Sequence, residues 1–270
     1  MTARRFEGRV VFVSGSTGMA ESAARRLAAE GARVFVASRS EPHARSLAES
    51  IDGAGWIAAD LGDERAADAA VAACVEQFER LDALYHVAGI SGRRFGDGPL
   101  HELTLEGWQT VMTSNATSTF LTARATARQM LAQEPGEGNR RGAILLMSSV
   151  LARHPAPAHF ATHAYAASKG AIEALSRAAA AYYAPHGIRV NAIAPGLVAT
   201  PMSRRAQQDP AILDYATRRQ PLAGGLLDAD AVTDLALFLL SDAARAITGQ
   251  VLDVDAGWGV AEGAGDQSWP

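Results

Sequence analysis

Short apolar runs alternate along the chain with longer segments in which apolar residues recur at helical spacing. Seven runs are nearly continuous in hydrophobicity, as expected for strands that are covered on both faces. The predicted strands are residues 10–13, 34–37, 56–59, 83–87, 144–147, 190–193 and 251–254. The predicted helices are residues 19–30, 41–51, 64–79, 104–132, 165–184 and 229–241. This alternation predicts an α/β protein with a doubly wound parallel sheet of about seven strands and helices on both faces.

Several residues mark where the predicted helices begin and end. Asp63 and Asp228 precede helical segments and are candidate N-caps. Gly31 and Gly187 follow helical segments, as glycines at the position after a helix do. The chain shows no internal repeat and no break in composition. We therefore expect a single Rossmann-type domain over residues 1–260 and a polar tail over residues 261–270.

Composition narrows the class of protein. The chain has 270 residues, 48% of them hydrophobic, and a net charge of −4, so there is no basic excess that would favour nucleic acid or an anionic membrane. Cys74 is the only cysteine, which excludes an intramolecular disulfide and a thiolate zinc cluster and favours a packed thiol. The N-terminus lacks a following apolar segment, and no apolar run approaches the ~20 residues that span a bilayer. We expect a cytoplasmic protein.

The stretch "VSGSTGMAES" (13–22) joins the first predicted strand to the first predicted helix. Ligands of such sheets sit at the carboxyl ends of the strands, and the free N–H groups of a helix N-terminus favour phosphate. A G-x-x-G spacing on its own fits a tight turn without a ligand equally well. The candidate phosphate contacts in this turn are Gly15, Ser16, Thr17, Gly18 and Met19.

The next strand ends contribute further candidate cofactor contacts. Folds that favour NAD place an acidic residue after the second strand, where this chain has Ser38 and Arg39. A hydroxyl beside a guanidinium suits a 2′-phosphate, so we expect NADP(H) to be favoured over NAD(H), although Arg39 also fits a solvated surface charge. The third and fourth strands end in Asp60, Leu61, Ala88 and Gly89, which could contact a nucleotide or form turns.

A tyrosine and a lysine lie on one helix face in "YAASKGAIEAL". Tyr165 and Lys169 are four residues apart, and a nearby ammonium favours the phenolate of a group whose ordinary pKa is about 10. An isolated pair of this kind is also common on exposed helices. Here Ser148 and Ser149 end a buried strand, and Asn115 lies in the predicted helix 104–132, where a polar amide at a local break could hold water.

Over nearly its whole length the chain resembles the short-chain dehydrogenase/reductase family, because the motifs of that family occur in the right order. They are the glycine turn, Asp60, Ala88-Gly89, Asn115, the serine pair and Tyr-x-x-x-Lys. The stretches "RVNAIAPGLVATPM" (189–202) and "ITGQVLDVDAG" (247–257) extend the resemblance. It implies an enzyme that transfers hydride reversibly between NADP(H) and a carbonyl/alcohol pair, with ketone reduction as the expected direction. It also implies a homodimer or homotetramer that acts on a small molecule.

The resemblance implies a role for each matching residue. Tyr165 is the general acid/base, Lys169 holds the nicotinamide ribose and lowers the tyrosine pKa, and Ser149, in preference to Ser148, hydrogen-bonds the substrate carbonyl. Asn115 carries a water in a proton relay towards Lys169. The residues after the sixth strand that shape the nicotinamide pocket or contact the carboxamide are Pro195, Gly196, Val198 and Thr200.

Three features depart from the family pattern. The glycine turn is one residue short and has Ala20 in place of its last glycine, yet we expect the phosphates still to bind. "HVAG" (86–89) replaces two asparagines, which His86 could partly substitute. The segment between the serine pair and Tyr165 is about three residues longer than is common in the family. We expect this segment, and a helical lid over 201–222, to shape the substrate pocket.

Charged and histidine side chains in the loops leave alternatives open. His154, His159 and His163 lack a spacing that would converge on a metal, so we expect no metal site, and His163 is the best placed to contact substrate. Arg93 and Arg94 could meet an anionic substrate or be solvated. Two rival functions remain: enoyl reduction or dehydration on the same fold, and a non-catalytic nucleotide-sensing or interaction protein.

Overall fold

The computed structural model describes residues 4–261, so nearly all of the predicted polar tail lies outside the described residues. Within this range seven strands form one parallel sheet in the order β3-β2-β1-β4-β5-β6-β7. They are β1 Val10–Ser14, β2 Arg33–Ser38, β3 Gly55–Ala58, β4 Ala83–His86, β5 Gly142–Met147, β6 Ile188–Pro195 and β7 Val251–Val254. The predicted single-domain, doubly wound sheet is confirmed, and its order reverses between β1 and β4.

Every predicted helix is present among the described residues. The helices are α1 Met19–Ala29, α2 Glu41–Glu49, α3 Glu64–Phe78, α4 Leu105–Met112, α5 Ser118–Ala132, α6 His163–Tyr183, α7 Arg204–Gln208, α8 Pro210–Arg219 and α9 Ala229–Leu240. The predicted helix 104–132 is interrupted by one π-helical turn, Thr113–Thr117, which joins α4 to α5. The segment 201–222 holds α7 and α8. None of the helices within residues 4–261 is long and apolar enough to cross a bilayer.

Alternating side chains of β1 supply two cores, one on each face of the sheet. Val11 and Val13 pack into the cluster that contains α1 and α9, and Val10 and Phe12 pack into the one with α3 and α5. Because all five β1 residues are buried, the run reads as continuously apolar. Cys74 lies in the second core, where burial raises the pKa of its thiol to about 12, in agreement with a packed thiol.

The predicted helix ends are confirmed. The carboxylates of Asp63 and Asp228 accept hydrogen bonds from the backbone N–H groups of Ala66, at 2.8 Å, and Ala231, at 2.7 Å. Gly31 and Gly187 have φ values of +96° and +75°, which favour glycine. Because all seven strands are parallel, the strand-to-helix loops gather at the carboxyl edge of the sheet.

Candidate active site

A groove of about 290 Å3 opens at the carboxyl ends of β1, β2, β3 and β4, where the strand order reverses. Eleven of the predicted cofactor contacts line it: Gly15, Ser16, Thr17, Met19, Ser38, Arg39, Asp60, Leu61, Ala88, Gly89 and Thr200. Sequence reasoning missed other lining residues, among them Ser40, His43, Ser114, Ser118, Pro201 and Met202. Pro201 and Met202 belong to the stretch 189–202, where they were given no role. The other four carry no motif, and they reach the groove from the start of α2, the π-helical turn and the start of α5.

The shortened glycine turn is built from two glycines with positive φ, +101° at Gly15 and +59° at Gly18. A Cβ on Gly15 would lie 3.0 Å from the Ala20 Cβ, and a Cβ on Gly18 would lie 3.0 Å from the Thr200 Cγ2. The turn therefore closes against the loop that follows β6. Among the described residues no side chain caps α1, so its first N–H groups remain available to an anion.

Hydroxyl groups meet at the ends of β1 and β2. The Ser16 Oγ donates a hydrogen bond to the Ser38 Oγ at 3.0 Å, and the backbone N–H of Ser40 points to the same oxygen at 3.4 Å. Arg39, beside them, is exposed and lines the groove, as does Asp60 after β3. The Ser16–Ser38 contact was not predicted, because it joins residues 22 positions apart in the chain.

The "HVAG" segment is held by Ser14, the last residue of β1. The Ser14 Oγ accepts hydrogen bonds from the backbone N–H groups of Val87, at 2.9 Å, and Ala88, at 3.1 Å, and so joins β1 to the end of β4. His86 is buried, with its Nε2 3.4 Å from the Ser118 Oγ. Burial, and then the Lys169 charge, lower the His86 pKa to about 3, so this imidazole is neutral at physiological pH.

Tyr165, Lys169 and Ser149 lie together at the carboxyl edge of β5. The Lys169 Nζ is 5.6 Å from the centre of the Tyr165 ring and donates a 2.8 Å hydrogen bond to the Met147 carbonyl. Burial raises the Tyr165 pKa, whereas hydrogen bonding with the Ser149 side chain lowers it. Burial lowers the Lys169 pKa to about 8. A buried ammonium and a hydroxyl thus flank a phenol whose proton is costly to remove.

Asn115 occupies the π-helical turn and is fully buried. Its Oδ1 accepts from the Ile90 N–H at 2.8 Å, and its Nδ2 donates to the Ile90 carbonyl at 3.1 Å and to the Ser168 Oγ at 3.0 Å. A Cβ on Gly89 would lie 2.9 Å from the Asn115 Oδ1 and 3.7 Å from the Lys169 Nζ. The structure therefore brings all four predicted catalytic residues to one edge of the sheet.

Ser148 faces away from this cluster. Its Oγ lies 3.0 Å from the Glu173 carboxylate and 3.2 Å from the Lys169 carbonyl, and its one hydroxyl proton is shared between these two acceptors, which joins β5 to α6. Glu173 is itself buried and paired with Arg153 at 3.1 Å. Ser148 is thus a strand-end residue with a packing contact. Glu173 was not predicted, because a buried carboxylate on a helix has no signal in the sequence.

The predicted contacts after β6 lie in a turn beside the groove. Pro195 ends β6, and the Gly196 N–H donates to the Val254 carbonyl at 2.9 Å. Val198 pairs with Leu227 in an isolated bridge and is buried. Six of the predicted cofactor contacts are not among the groove-lining residues: Gly18, Tyr165, Lys169, Pro195, Gly196 and Val198. A Cβ on Gly18 would nevertheless lie 3.0 Å from the Cγ2 of Thr200, which does line the groove.

The three histidines of the segment before Tyr165 do not converge on a common point. The His159 ring lies 4.7 Å from the ring of Tyr215 on α8, and the His154 carbonyl accepts a 3.4 Å hydrogen bond from the buried Trp258 indole. His163 is exposed, and its Nδ1 lies 2.8 Å from the Gly98 carbonyl. Within residues 4–261 no group of three or more metal-binding side chains is found.

Comparison with known proteins places this site in a family. A family model described as enoyl-(acyl carrier protein) reductase matches residues 13–259. The chain is 34% identical over 263 residues to 2,5-dichloro-2,5-cyclohexadiene-1,4-diol dehydrogenase LinX of Sphingobium indicum, covering 96% of this chain and 99% of the relative. The chain belongs to the short-chain dehydrogenase/reductase family. This short-chain dehydrogenase/reductase is also 34% identical over 257 residues to cis-4-hydroxycyclohexanecarboxylate dehydrogenase of Sinomonas cyclohexanicum, covering 94% of this chain and 97% of the relative.

The likeness extends to solved structures. A short-chain type dehydrogenase/reductase from Mycobacterium ulcerans superposes with a TM-score of 0.86 at 27% identity, covering 96% of this chain and 92% of the other. The predicted family and the predicted nicotinamide-dependent oxidoreductase are confirmed. The structure also fits such a cofactor, because α1 begins without a side-chain cap, which leaves its first N–H groups available to a phosphate, and because Gly15 and Gly89 let a ligand approach the backbone of the groove closely.

Proposed function

We propose that this short-chain dehydrogenase/reductase interconverts a secondary alcohol and a ketone, with Tyr165 as the general acid/base. The observation that carries the proposal is the buried Lys169 ammonium beside the Tyr165 ring, with Ser149 as hydrogen-bond partner of the phenol. Such a trio suits a reaction in which one oxygen gains or loses a proton. Enoyl reduction, which the description of the family model names, and dehydration make less use of this trio.

The protein's own part is proton transfer and polarisation. The nicotinamide, when bound, supplies or accepts the hydride. Tyr165 gives its proton to the carbonyl oxygen in reduction and accepts the hydroxyl proton in oxidation, while the Ser149 hydroxyl donates a hydrogen bond to the same oxygen. Forming a phenolate at pH 7 costs about 4 kcal/mol from an ordinary pKa of about 10, and burial adds to this cost. The Lys169 charge and the Ser149 hydroxyl offset it.

Asn115 is proposed to connect this site to a proton relay. An amide oxygen has two lone pairs, and the Asn115 Oδ1 accepts one hydrogen bond, from the Ile90 N–H. The second lone pair is proposed to hold a water on the side of Lys169, where Gly89 leaves space for close approach. The Nδ2 bond to Ser168 then fixes the π-helical turn against α6, which carries both Tyr165 and Lys169.

We propose that NADP(H) is preferred to NAD(H). The support is the group of hydroxyls of Ser16 and Ser38 beside the exposed Arg39, in the place where an NAD site holds a carboxylate. A charge-assisted bond to a 2′-phosphate contributes about 1.5–3 kcal/mol, which corresponds to roughly ten- to a hundredfold in affinity. Arg39→Ala should therefore weaken NADPH binding by that factor and leave NADH binding unchanged, as fluorescence titration would show.

Arg45→Ala is the matched control for that titration, because Arg45 lies on α2, pairs with Glu41 and does not line the groove. Both cofactor affinities should stay at the wild-type value in this variant. An Arg39→Ala protein that binds NADPH and NADH with an unchanged ratio would exclude the proposed preference and leave the enzyme proposal standing.

The reaction is tested by turnover of Tyr165→Phe on a panel of secondary alcohols. The panel should begin with alcohols on six-membered carbon rings, since two relatives are named for such compounds. Loss of acid–base catalysis is expected to lower kcat by roughly 10²- to 10⁴-fold with NADPH affinity retained. Tyr182→Phe is the control, because Tyr182 lies on the same helix and is 68% exposed. Undiminished turnover in Tyr165→Phe would refute the proposal, and NADPH binding without any turnover in the wild type would favour a nucleotide-sensing protein.

A lid and a self-associating surface complete the proposal. We propose that residues 201–222 cover the substrate and open to release it. The Arg205 side chain donates a 3.2 Å hydrogen bond to the His159 carbonyl, which joins α7 to residues 152–163.

We also propose a homodimer or homotetramer that uses α6, where Ala171, Ala174 and Ala178 form an exposed small-residue face. Sedimentation of Ala174→Arg tests this, because a guanidinium would block close helix packing and yield a smaller species.

A further inference from the structure

The first turn of α6 is capped from outside the helix. Its own N-cap residue, Thr162, makes no capping side-chain bond. Instead the Asp97 carboxylate, from the loop after β4, accepts hydrogen bonds at 3.0 Å from the Ala164 N–H and at 2.9 Å from the Tyr165 N–H. One oxygen serves each donor, so both orphan N–H groups are satisfied by a single side chain 67 and 68 residues earlier in the chain.

The loop after β4 holds the Asp97 side chain in this position. Asp97 is 5% exposed and takes part in no ion pair within the described residues. Its charge is offset by the N–H groups and dipole of α6 and, at longer range, by the Arg93 guanidinium. The Asp97 N–H donates to the Gly92 carbonyl at 3.2 Å, and a Cβ on Gly92 would lie 2.8 Å from the Asp97 Oδ2. His163 adds a bond to Gly98 at 2.8 Å. The loop is thus closed tightly around the carboxylate and joined to the first turn of α6.

We propose that Asp97 is a positioning residue for Tyr165; this inference rests on the proposed function. Tyr165 is the third residue of α6, in the turn whose N–H groups have no partner inside the helix. Lys169, one turn later, is held separately by the Met147 carbonyl. Without Asp97 the first turn frays, and Tyr165 moves relative to Lys169 and Ser149 while those two stay in place. A displacement of about 1 Å in a reacting group costs on the order of a hundredfold in rate.

The test compares Asp97→Ala with Asp228→Ala. Asp228 makes the same kind of cap, to the Ala231 N–H at 2.7 Å, on α9, which carries none of the four proposed catalytic residues. Both variants should melt at a lower temperature than the wild type, because each loses the carboxylate that caps a helix. Only Asp97→Ala should lower kcat, by roughly ten- to a hundredfold, with NADPH affinity within about twofold of wild type.

A second readout separates position from charge. In the alcohol-oxidising direction the rate rises with pH as Tyr165 ionises, so the apparent pKa of kcat reports on the phenol. If Asp97 holds Tyr165 near Lys169 and Ser149, then Asp97→Ala and Asp97→Asn raise this pKa, since the phenolate loses their support. If Asp97 acted only through its charge, removal of a neighbouring anion would lower it. Asp97→Glu, which keeps the carboxylate, should restore part of kcat.

Three results would overturn the proposal: an unchanged kcat in Asp97→Ala, an equal loss of kcat in Asp228→Ala, or a lowered apparent pKa in Asp97→Asn. If Asp97→Ala does not fold, Asp97→Asn keeps the volume and one acceptor oxygen and gives the same two readouts. Failure of the proposed function itself shows elsewhere, as full turnover in Tyr165→Phe.

Discussion

The shortened glycine turn makes a quantitative prediction at Gly18. Gly18 has φ +59° and ψ −124°, a combination outside the left-handed helical well that other residues can reach. Holding an L-residue there costs on the order of 1–3 kcal/mol. In addition, a Cβ at this position would lie 3.0 Å from the Thr200 Cγ2 and 3.1 Å from its Cβ, so the turn and the loop after β6 must separate. Gly18→Ala should therefore distort both sides of the groove.

The expected result is a loss of cofactor affinity that exceeds the loss of stability at a comparable glycine. Gly53 is the control, because its φ is +69° and a Cβ there would meet nothing within 4 Å. Gly53→Ala should lower the free energy of unfolding by about 1 kcal/mol, as measured in urea, with NADPH affinity unchanged. Gly18→Ala should destabilise by more and weaken NADPH at least tenfold, since a shift of 1.4 kcal/mol in binding is a factor of ten.

The close contact is tested separately by a double variant. Thr200→Ser removes the Cγ2 that a Gly18→Ala methyl would strike, so the double variant should recover part of the lost NADPH affinity and none of the backbone strain. If Gly18→Ala binds NADPH as tightly as wild type, the turn does not set the phosphate site. Equal losses of stability at Gly18 and Gly53 would show that the Thr200 contact carries no cost.

Three further predictions concern buried polar groups. Lys169→Met should abolish turnover, yet it should raise the free energy of unfolding at pH 7 by about 3 kcal/mol, because burial lowers the lysine pKa from 10.5 to about 8. In urea titrations this gain in stability should shrink as the pH rises from 8 to 10.5. A gain that does not change with pH would show that the buried charge of Lys169 is not its cause. Asn115→Ala leaves both backbone groups of Ile90 unpaired and should destabilise by about 2–4 kcal/mol in the same assay, whereas a loss below 1 kcal/mol would mean that water replaces the amide. Gln220→Ala breaks the bonds that join the end of α8 to both backbone groups of Leu197, so limited proteolysis should cut the lid segment faster, and an unchanged rate would exclude Gln220 as its anchor.

The elements of this fold could be predicted because their causes are local. The strands are mainly apolar runs, and the two predicted capping aspartates, Asp63 and Asp228, stand directly before the helices they cap. The interruption at Asn115 was indicated by one polar amide within an otherwise helical pattern. Such signals lie within a few residues of the feature they predict, so one sequence is enough to read them.

The contacts that complete the site could not be predicted, because they join distant parts of the chain. Ser14 supports Val87 across 73 residues, and Asp97 caps the turn of Tyr165 across 68. In the sequence each is an ordinary polar residue near a strand or in a loop. Their structural role depends on the parallel sheet, which brings the loops after β1, β4 and β5 to one edge.

The departures from the family pattern lie beside contacts of this kind. At the shortened glycine turn Ser16 bonds to Ser38, and a Cβ on Gly18 would lie 3.0 Å from the Thr200 Cγ2. Before Ala88, where the two amides are absent, the Ser14 hydroxyl accepts hydrogen bonds from two backbone N–H groups at once. A motif identifies the family, whereas the residues that hold the site in shape are found only once the strand ends are seen together.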